Sequence, residues 1–279
     1  MQRSSNRRQQ FEDTQKMEIN QHARLSIAPM MDWTDRHCRW FHRVLSQKAL
    51  LYTEMITAAA LVHGDVDRLL RYSPEELPLA LQLGGSDPAL LARATAIAAP
   101  FGFSEINLNV GCPSDRVQSG AFGAVLMENP ELVSECMAAI RAVVPDLRVS
   151  VKCRIGVDDQ APETALPRFL ETVAGAGIRH FTIHARKAWL QGLSPKQNRT
   201  VPPLRYDDVY RLKRELPELE IEINGGIREL DEIATQLEHL DSVMVGRAAY
   251  ENPVMFAAVD QRFFGVETEH PCLAKTRRA

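Results

Sequence analysis

Cys112 stands in the segment Asn109-Val110-Gly111-Cys112-Pro113, ahead of a stretch with Asp115, Arg116 and glycines at 120 and 123. A thiol in such a loop is reachable by a ligand. A nucleophilic cysteine needs a group that stabilises its thiolate, and no obvious partner stands beside this one. The other cysteines read more plainly. Cys136 lies in a helical pattern and Cys153 in a strand pattern, and both suit small buried hydrophobes, as does Cys38. Cys272 lies in the tail and has no assigned role. Further reactive types recur along the chain: Gln82, Lys152 and Arg154, His184 and Arg186, Asn224-Gly225-Gly226, and Gly246-Arg247. Glycine lets backbone N–H groups approach phosphate oxygens closely, and Arg247 adds charge. Taken singly, each has a structural reading. Gln82 could be a satisfied core amide, Lys152 a solvated strand end, His184 a packing histidine, and the glycines simple turns.

The elements that carry these residues alter that balance. Eight β-rich segments are expected at 25–30, 49–55, 79–83, 104–110, 148–154, 180–186, 220–225 and 242–245. Several read as near-continuous apolar runs, the pattern of a parallel sheet buried on both faces. Helical patterns lie between them. Asp87-Pro88 and Asn129-Pro130 combine a cap with a first-turn proline and open helices over 90–99 and 131–143. Further helices are expected at 207–216 and 230–237, and Asn252-Pro253 opens the last. Eight β/α units predict a (β/α)₈ TIM barrel rather than an open doubly wound sheet, whose GxGxxG turn is absent after the first strand. In such barrels chemistry gathers at the C-terminal strand ends, and the last two loops commonly hold phosphate. Every reactive residue above falls on that rim.

The 279 residues suit one barrel, expected at 24–265, with a polar leader over 1–23 and an irregular tail over 266–279. Met17 is an alternative start. The leader has no apolar core, so a secretory signal is not expected. No apolar run approaches the roughly 18 residues of a membrane span. The protein is therefore expected in the cytoplasm, as a monomer, with no membrane partner. The five scattered cysteines lack zinc spacing, so no metal is expected. Net charge is −3, so any nucleic-acid site must be a local basic patch. One candidate exists. Arg186, Lys187, Lys196 and Arg199 form a run without acidic residues, interleaved with Trp189, which suits a polyanion whose bases can stack. A solvated loop is the plainer alternative.

Seven segments together resemble the tRNA-dihydrouridine synthases, and among them the bacterial A-type subgroup. They are Ala-Pro-Met-Met-Asp-Trp-Thr-Asp-Arg-His (28–37), Leu-Gln-Leu-Gly-Gly (81–85), Glu-Ile-Asn-Leu-Asn-Val-Gly-Cys-Pro-Ser (105–114), Val-Lys-Cys-Arg-Ile-Gly (151–156), His-Ala-Arg-Lys-Ala-Trp-Leu (184–190), Ile-Asn-Gly-Gly-Ile (223–227) and Val-Met-Val-Gly-Arg (243–247). The resemblance covers about residues 24–265. It implies FMN as cofactor, NADPH as electron source and D-loop uridines of tRNA, at position 20 and its neighbour, as substrate. It implies that Pro29, Met30 and Met31 line the flavin, with Gln82, Lys152 and His184 against its ring. Asn224, Gly225, Gly226, Gly246 and Arg247 would hold its phosphate. Cys112 would be the proton donor, a role suited to a thiol, which is mostly protonated near neutrality. Asn109, Lys196 and Arg199 would contact tRNA, and strand-end Arg154 and Arg186 are placed with them.

The family normally adds a C-terminal helical domain that grips tRNA. The tail here has no apolar helical period, so that domain is expected to be missing and RNA affinity to be lower. Two other functions fit parts of the pattern: an FMN barrel oxidoreductase acting on a free small molecule such as a pyrimidine, or a truncated, non-catalytic RNA-binding relic.

Overall fold

The computed structural model describes residues 25–114 and 121–266; the expected leader, Met17, most of the tail, Cys272, Asp115, Arg116 and Gly120 lie outside them. Nine parallel strands form its sheet: β1 (Leu25–Ile27), β2 (Leu51–Tyr52), β3 (Ile56–Thr57), β4 (Leu79–Gly84), β5 (Glu105–Val110), β6 (Arg148–Arg154), β7 (His180–His184), β8 (Glu220–Asn224) and β9 (Ser242–Val245). The order runs β1-β9-β8-β7-β6-β5-β4-β2, with β3 also on β4. β2 and β3 are two pieces of one expected strand, so the strands make eight staves. The ring closes where Ile27 N donates to Leu50 O (2.9 Å) and Leu50 N to Leu25 O (3.0 Å). This is the TIM barrel expected.

Strand side chains alternate faces, and that parity sorts the residues. Outward positions such as Ile106, Leu108, Val149, Val151, Ile221 and Ile223 are fully or almost fully buried beneath the helices. The inward positions of β5 to β8 are polar: Glu105, Asn107 and Asn109; Arg148, Ser150, Lys152 and Arg154; Thr182 and His184; Glu222 and Asn224. Apolar residues thus face the helices and polar ones the lumen, so these four strands alternate rather than run apolar throughout. Across the lumen, Ala28, Leu50, Tyr52, Ala80 and Met244 form a small apolar cluster, with Met30 packed on it. The barrel interior is polar on one half and apolar on the other.

Caps set several helices as expected. The Asp87 carboxylate accepts from Leu90 N ahead of Pro88–Ala98, and Asn129 from Leu132 N ahead of Pro130–Val143. Helix Leu230–Leu237 has the expected bounds, and Tyr206–Glu215 lies one residue early. Asn252-Pro253 opens a short 3₁₀ turn, Pro253–Ala258, before helix Val259–Phe264. Helix Arg36–Leu45 was not expected, because its buried face is Arg39, His42, Arg43 and Leu45 rather than an apolar stripe. Arg39 pairs with Glu76 (2.6 Å), and Arg43 donates to the carbonyls of Ser46, Ala49 and Pro78. Helix Pro162–Ala174, with Pro167 inside it, also went unpredicted. No described helix is long and apolar enough to cross a membrane.

Candidate active site

Register brings the rim residues side by side. Asn109 pairs with Lys152, Arg154 with His184, and His184 with Asn224. Lys152 Nζ donates to Asn224 Oδ1 (3.1 Å), and Asn224 Nδ2 donates to Met244 O (2.8 Å). A band of donors thus crosses β6, β7 and β8 at the C-terminal ends of the strands. Burial, followed by the charge of Arg154, pushes Lys152 down to about 8. Burial also holds His184 well below its ordinary value, with the charges of Arg154, Lys152, Arg186 and Arg247 adding to it. His184 is therefore a neutral imidazole within a field of cations. Such a field fits a bound anion.

The Cys112 loop closes one side. Asn109 Oδ1 accepts from Gly111 N (3.1 Å) and Cys112 N (3.0 Å), and Cys112 O accepts from Ala124 N (2.9 Å). The sulfur is half-buried and lies 3.6 Å from Ser114 Oγ. It is close enough to Lys152, Arg154 and Arg199 for charge on it to act on all three. Cys136 and Cys153 are fully buried, as their patterns implied, while Cys38 is half-buried.

The glycines on the far side allow a close approach. Gly225 (φ +109) sits against His184, where an added Cβ would come within 2.7 Å of ring Cδ2. Gly226 (φ +79) sits against Leu204 and Tyr206. Tyr206 donates its hydroxyl to Gly225 O (2.5 Å), a support the sequence reading missed. At Gly246 a Cβ would have nothing nearer than 3.9 Å, so that glycine borders open space beside Ala28 and Asn224. Three features make the fit of a flavin phosphate testable here: the glycine cradle, the surrounding cations, and His184 Nδ1, which is buried without a hydrogen-bond partner. All three favour a phosphorylated, hydrogen-bonding ring ligand. Pro29 and Met30 are half-buried, Met30 against Ala28 and Met244 beside the cradle, whereas Met31 is 54% exposed.

The basic segment after β7 is folded rather than loosely solvated. Asn198 is fully buried. It donates to Trp189 O (2.9 Å) and Leu193 O (3.2 Å) and accepts from Trp189 N (2.8 Å). Arg154, placed against RNA by sequence, is only 4% exposed. Its donors reach Gly111 O, Lys187 O and Asn198 O at 2.9–3.2 Å, so it braces the Cys112 loop against the basic loop. Asn109 is similarly committed, to that loop and to Gln82 Oε1 (2.9 Å). Lys196 and Arg199 are exposed, and Arg186 is half-exposed and donates to Pro202 O. Lys187 Nζ sits 5.4 Å from the centre of the Trp189 ring.

The chain is 61% identical over 240 residues to a Synechocystis "tRNA-dihydrouridine(20/20a) synthase", covering 86% of this chain and 72% of that one. The Vibrio cholerae protein of that name is 59% identical over 246 residues, covering 88% and 75%. The Escherichia coli K12 protein of that name is 57% identical over 252 residues, covering 90% and 72%. Among solved structures, an old yellow enzyme homologue from Zymomonas mobilis superposes with TM-score 0.61 at 12% identity, covering 91% of this chain and 92% of that one. TcOYE superposes with TM-score 0.58 at 11% identity, over 91% and 92%. At such identity these two speak for the barrel alone. The model of the dihydrouridine synthase family matches residues 26–277, and with relatives this similar the chain belongs to the dihydrouridine synthase family.

Proposed function

We propose that the protein reduces the C5–C6 double bond of D-loop uridines in tRNA, at position 20 and its neighbour, with FMN as cofactor and NADPH as reductant. The observation that carries this reading is the meeting of Lys152, His184, Asn224 and the glycine cradle on one rim, with Lys152 also within electrostatic reach of the Cys112 sulfur. When bound, the flavin supplies the hydride that adds to C6 of the uracil. All other work falls to the protein. Gly225, Gly226, Gly246 and Arg247 receive the phosphate. Pro29 and Met30 give the ring an apolar wall, and Gln82 and neutral His184 offer hydrogen bonds. Lys152 offsets negative charge at the ring and on the uracil oxygens, since a buried cation acts strongly there. Cys112 protonates C5 from the other side of the base.

Extruding a uridine from its stack costs a few kcal/mol. Exposed Lys196 and Arg199 supply phosphate contacts that offset it, with Arg186 at the mouth. Arg154 and Asn109 hold the two loops rather than the RNA. Nucleoside mass spectrometry of tRNA from a strain relying on this chain alone tests the reading. Dihydrouridine at position 20 or its neighbour is expected. Unmodified tRNA from a strain that accumulates the yellow protein would contradict it, and reduction of free uracil instead would point to a small-molecule enzyme.

A further inference from the structure

A line of side chains runs down the polar half of the lumen, from the Cys112 loop to the opposite end of the barrel. Asn109 Nδ2 donates to Gln82 Oε1 (2.9 Å), and Gln82 Nε2 donates to Asn107 Oδ1 (2.7 Å). Asn107 Nδ2 donates to Ser150 Oγ (2.7 Å), and Ser150 donates to Glu105 Oε1. Tyr52 also donates to Glu105 Oε1 (2.7 Å), and Arg148 Nε lies 3.0 Å from Glu105 Oε2. Glu105, Asn107 and Gln82 are each at most 1% exposed, and Ser150 is 3% exposed. Every donor points the same way, away from the catalytic loop and toward the carboxylate.

We infer that Glu105 is a positioning residue for Cys112, because it sets the direction of this chain of hydrogen bonds. A carboxylate paired with arginine only accepts, so Ser150 must spend its proton on Glu105. Ser150 can then only accept from Asn107, which turns the Asn107 amide nitrogen downward and its oxygen upward. Gln82 and Asn109 follow by the same logic, since an amide offers a donor on one side and an acceptor on the other. The last step leaves Asn109 Oδ1 facing the backbone N–H groups of Gly111 and Cys112. Reversed, Asn109 would present N–H to N–H and release the loop. Glu105 thus acts on Cys112 through four intervening side chains without touching substrate or cofactor. Hydrogen bonds in such a dry chain polarise one another, which makes the alignment collective. That the released loop is the catalytic one rests on the function proposed above.

Hydrogen exchange of the flavin-free protein reads the chain without that assumption. In Ser150→Ala the amides of Gly111 and Cys112 are expected to exchange about tenfold faster, the worth of one typical hydrogen bond. Amides of the outer helices should keep their rates. Ser150→Thr retains the hydroxyl and should restore protection. Glu105→Gln can donate as well as accept and should match Ser150→Ala; since it also removes one of the two carboxylates paired with Arg148, leaving Glu220 at 3.1 Å, the serine variants decide if it fails to fold. In the loaded enzyme, kcat should fall about tenfold with KM for tRNA unchanged. Unchanged exchange at Gly111 and Cys112 in Ser150→Ala overturns the inference. Faster exchange with unchanged kcat upholds the chain and counts instead against the role given to Cys112.

Discussion

Replacing Lys152 with methionine trades a buried ammonium for a neutral side chain of similar length. Burial lowers this lysine from its ordinary 10.5 to about 8. At about 1.4 kcal/mol per pH unit, its charge costs the fold about 3 kcal/mol near neutrality. Lys152 keeps some contact with water, and screening trims the cost to about 2 kcal/mol. The lost hydrogen bond to Asn224 subtracts about 1 kcal/mol. Lys152→Met should therefore stabilise the flavin-free protein by about 1 kcal/mol at pH 7, raising Tm by roughly 2–4 °C. The pH dependence is the sharper signature. The folded pKa lies below the unfolded one, so the unfolded chain holds more protons between about pH 8 and 10.5, and the wild type gains stability as pH rises through that window. The variant lacks that gain, so the two stability curves should cross. At pH 10.5 the variant should be the weaker by about 1 kcal/mol, the missing hydrogen bond. Thermal unfolding followed by circular dichroism across this range reads both signs. A variant weaker at pH 7, or a difference that does not change with pH, would refute the reasoning. On the proposed function the costly lysine serves the bound cofactor, so the same variant should bind flavin less tightly.

Cys112→Ala should keep its bound yellow flavin and lose at least about 100-fold in dihydrouridine formation, the usual worth of a positioned acid; flavin content and nucleoside analysis check both halves. Gly225→Ala forces an L-residue into φ +109 against the His184 ring. It should cost about 1–3 kcal/mol and weaken flavin binding at least about tenfold, measured by titrating the flavin-free protein. Asn198→Ala strips the basic loop of its buried hub. KM for tRNA should rise about tenfold while flavin content stays constant, and limited proteolysis should cut within 186–200. Arg199→Ala should reduce the slope of log affinity for tRNA against log salt by about one, with no change in flavin binding.

Much of this architecture was legible in the residues. Asp87-Pro88 and Asn129-Pro130 mark helix starts because capping is local, and the reactive residues mark strand ends because chemistry in a barrel must sit there. The hidden parts share one physical cause: buried groups satisfied by distant partners. Helix Arg36–Leu45 buries arginines on carbonyls many residues away, so no apolar stripe announces it. Arg154 looked like a free cation because the three carbonyls it holds come from two loops distant in sequence. Asn198 carried no signal within its polar loop. The Glu105-to-Asn109 line did carry one, the alternation Glu-x-Asn-x-Asn on β5 beside Arg-x-Ser-x-Lys on β6. Attention to the strand ends alone left the lower members of that alternation unread.

The account stands on flavin and thiol sharing one pocket with the uracil between them, and a single turnover tests this most directly. Protein loaded with FMN is reduced beforehand, freed of NADPH, and mixed without oxygen with unmodified tRNA. The visible flavin band should return as dihydrouridine forms, one for each flavin, and stay bleached with the Cys112→Ala protein. A band that stays bleached in the wild type, or that returns equally in the variant with the same yield of dihydrouridine, would contradict the account.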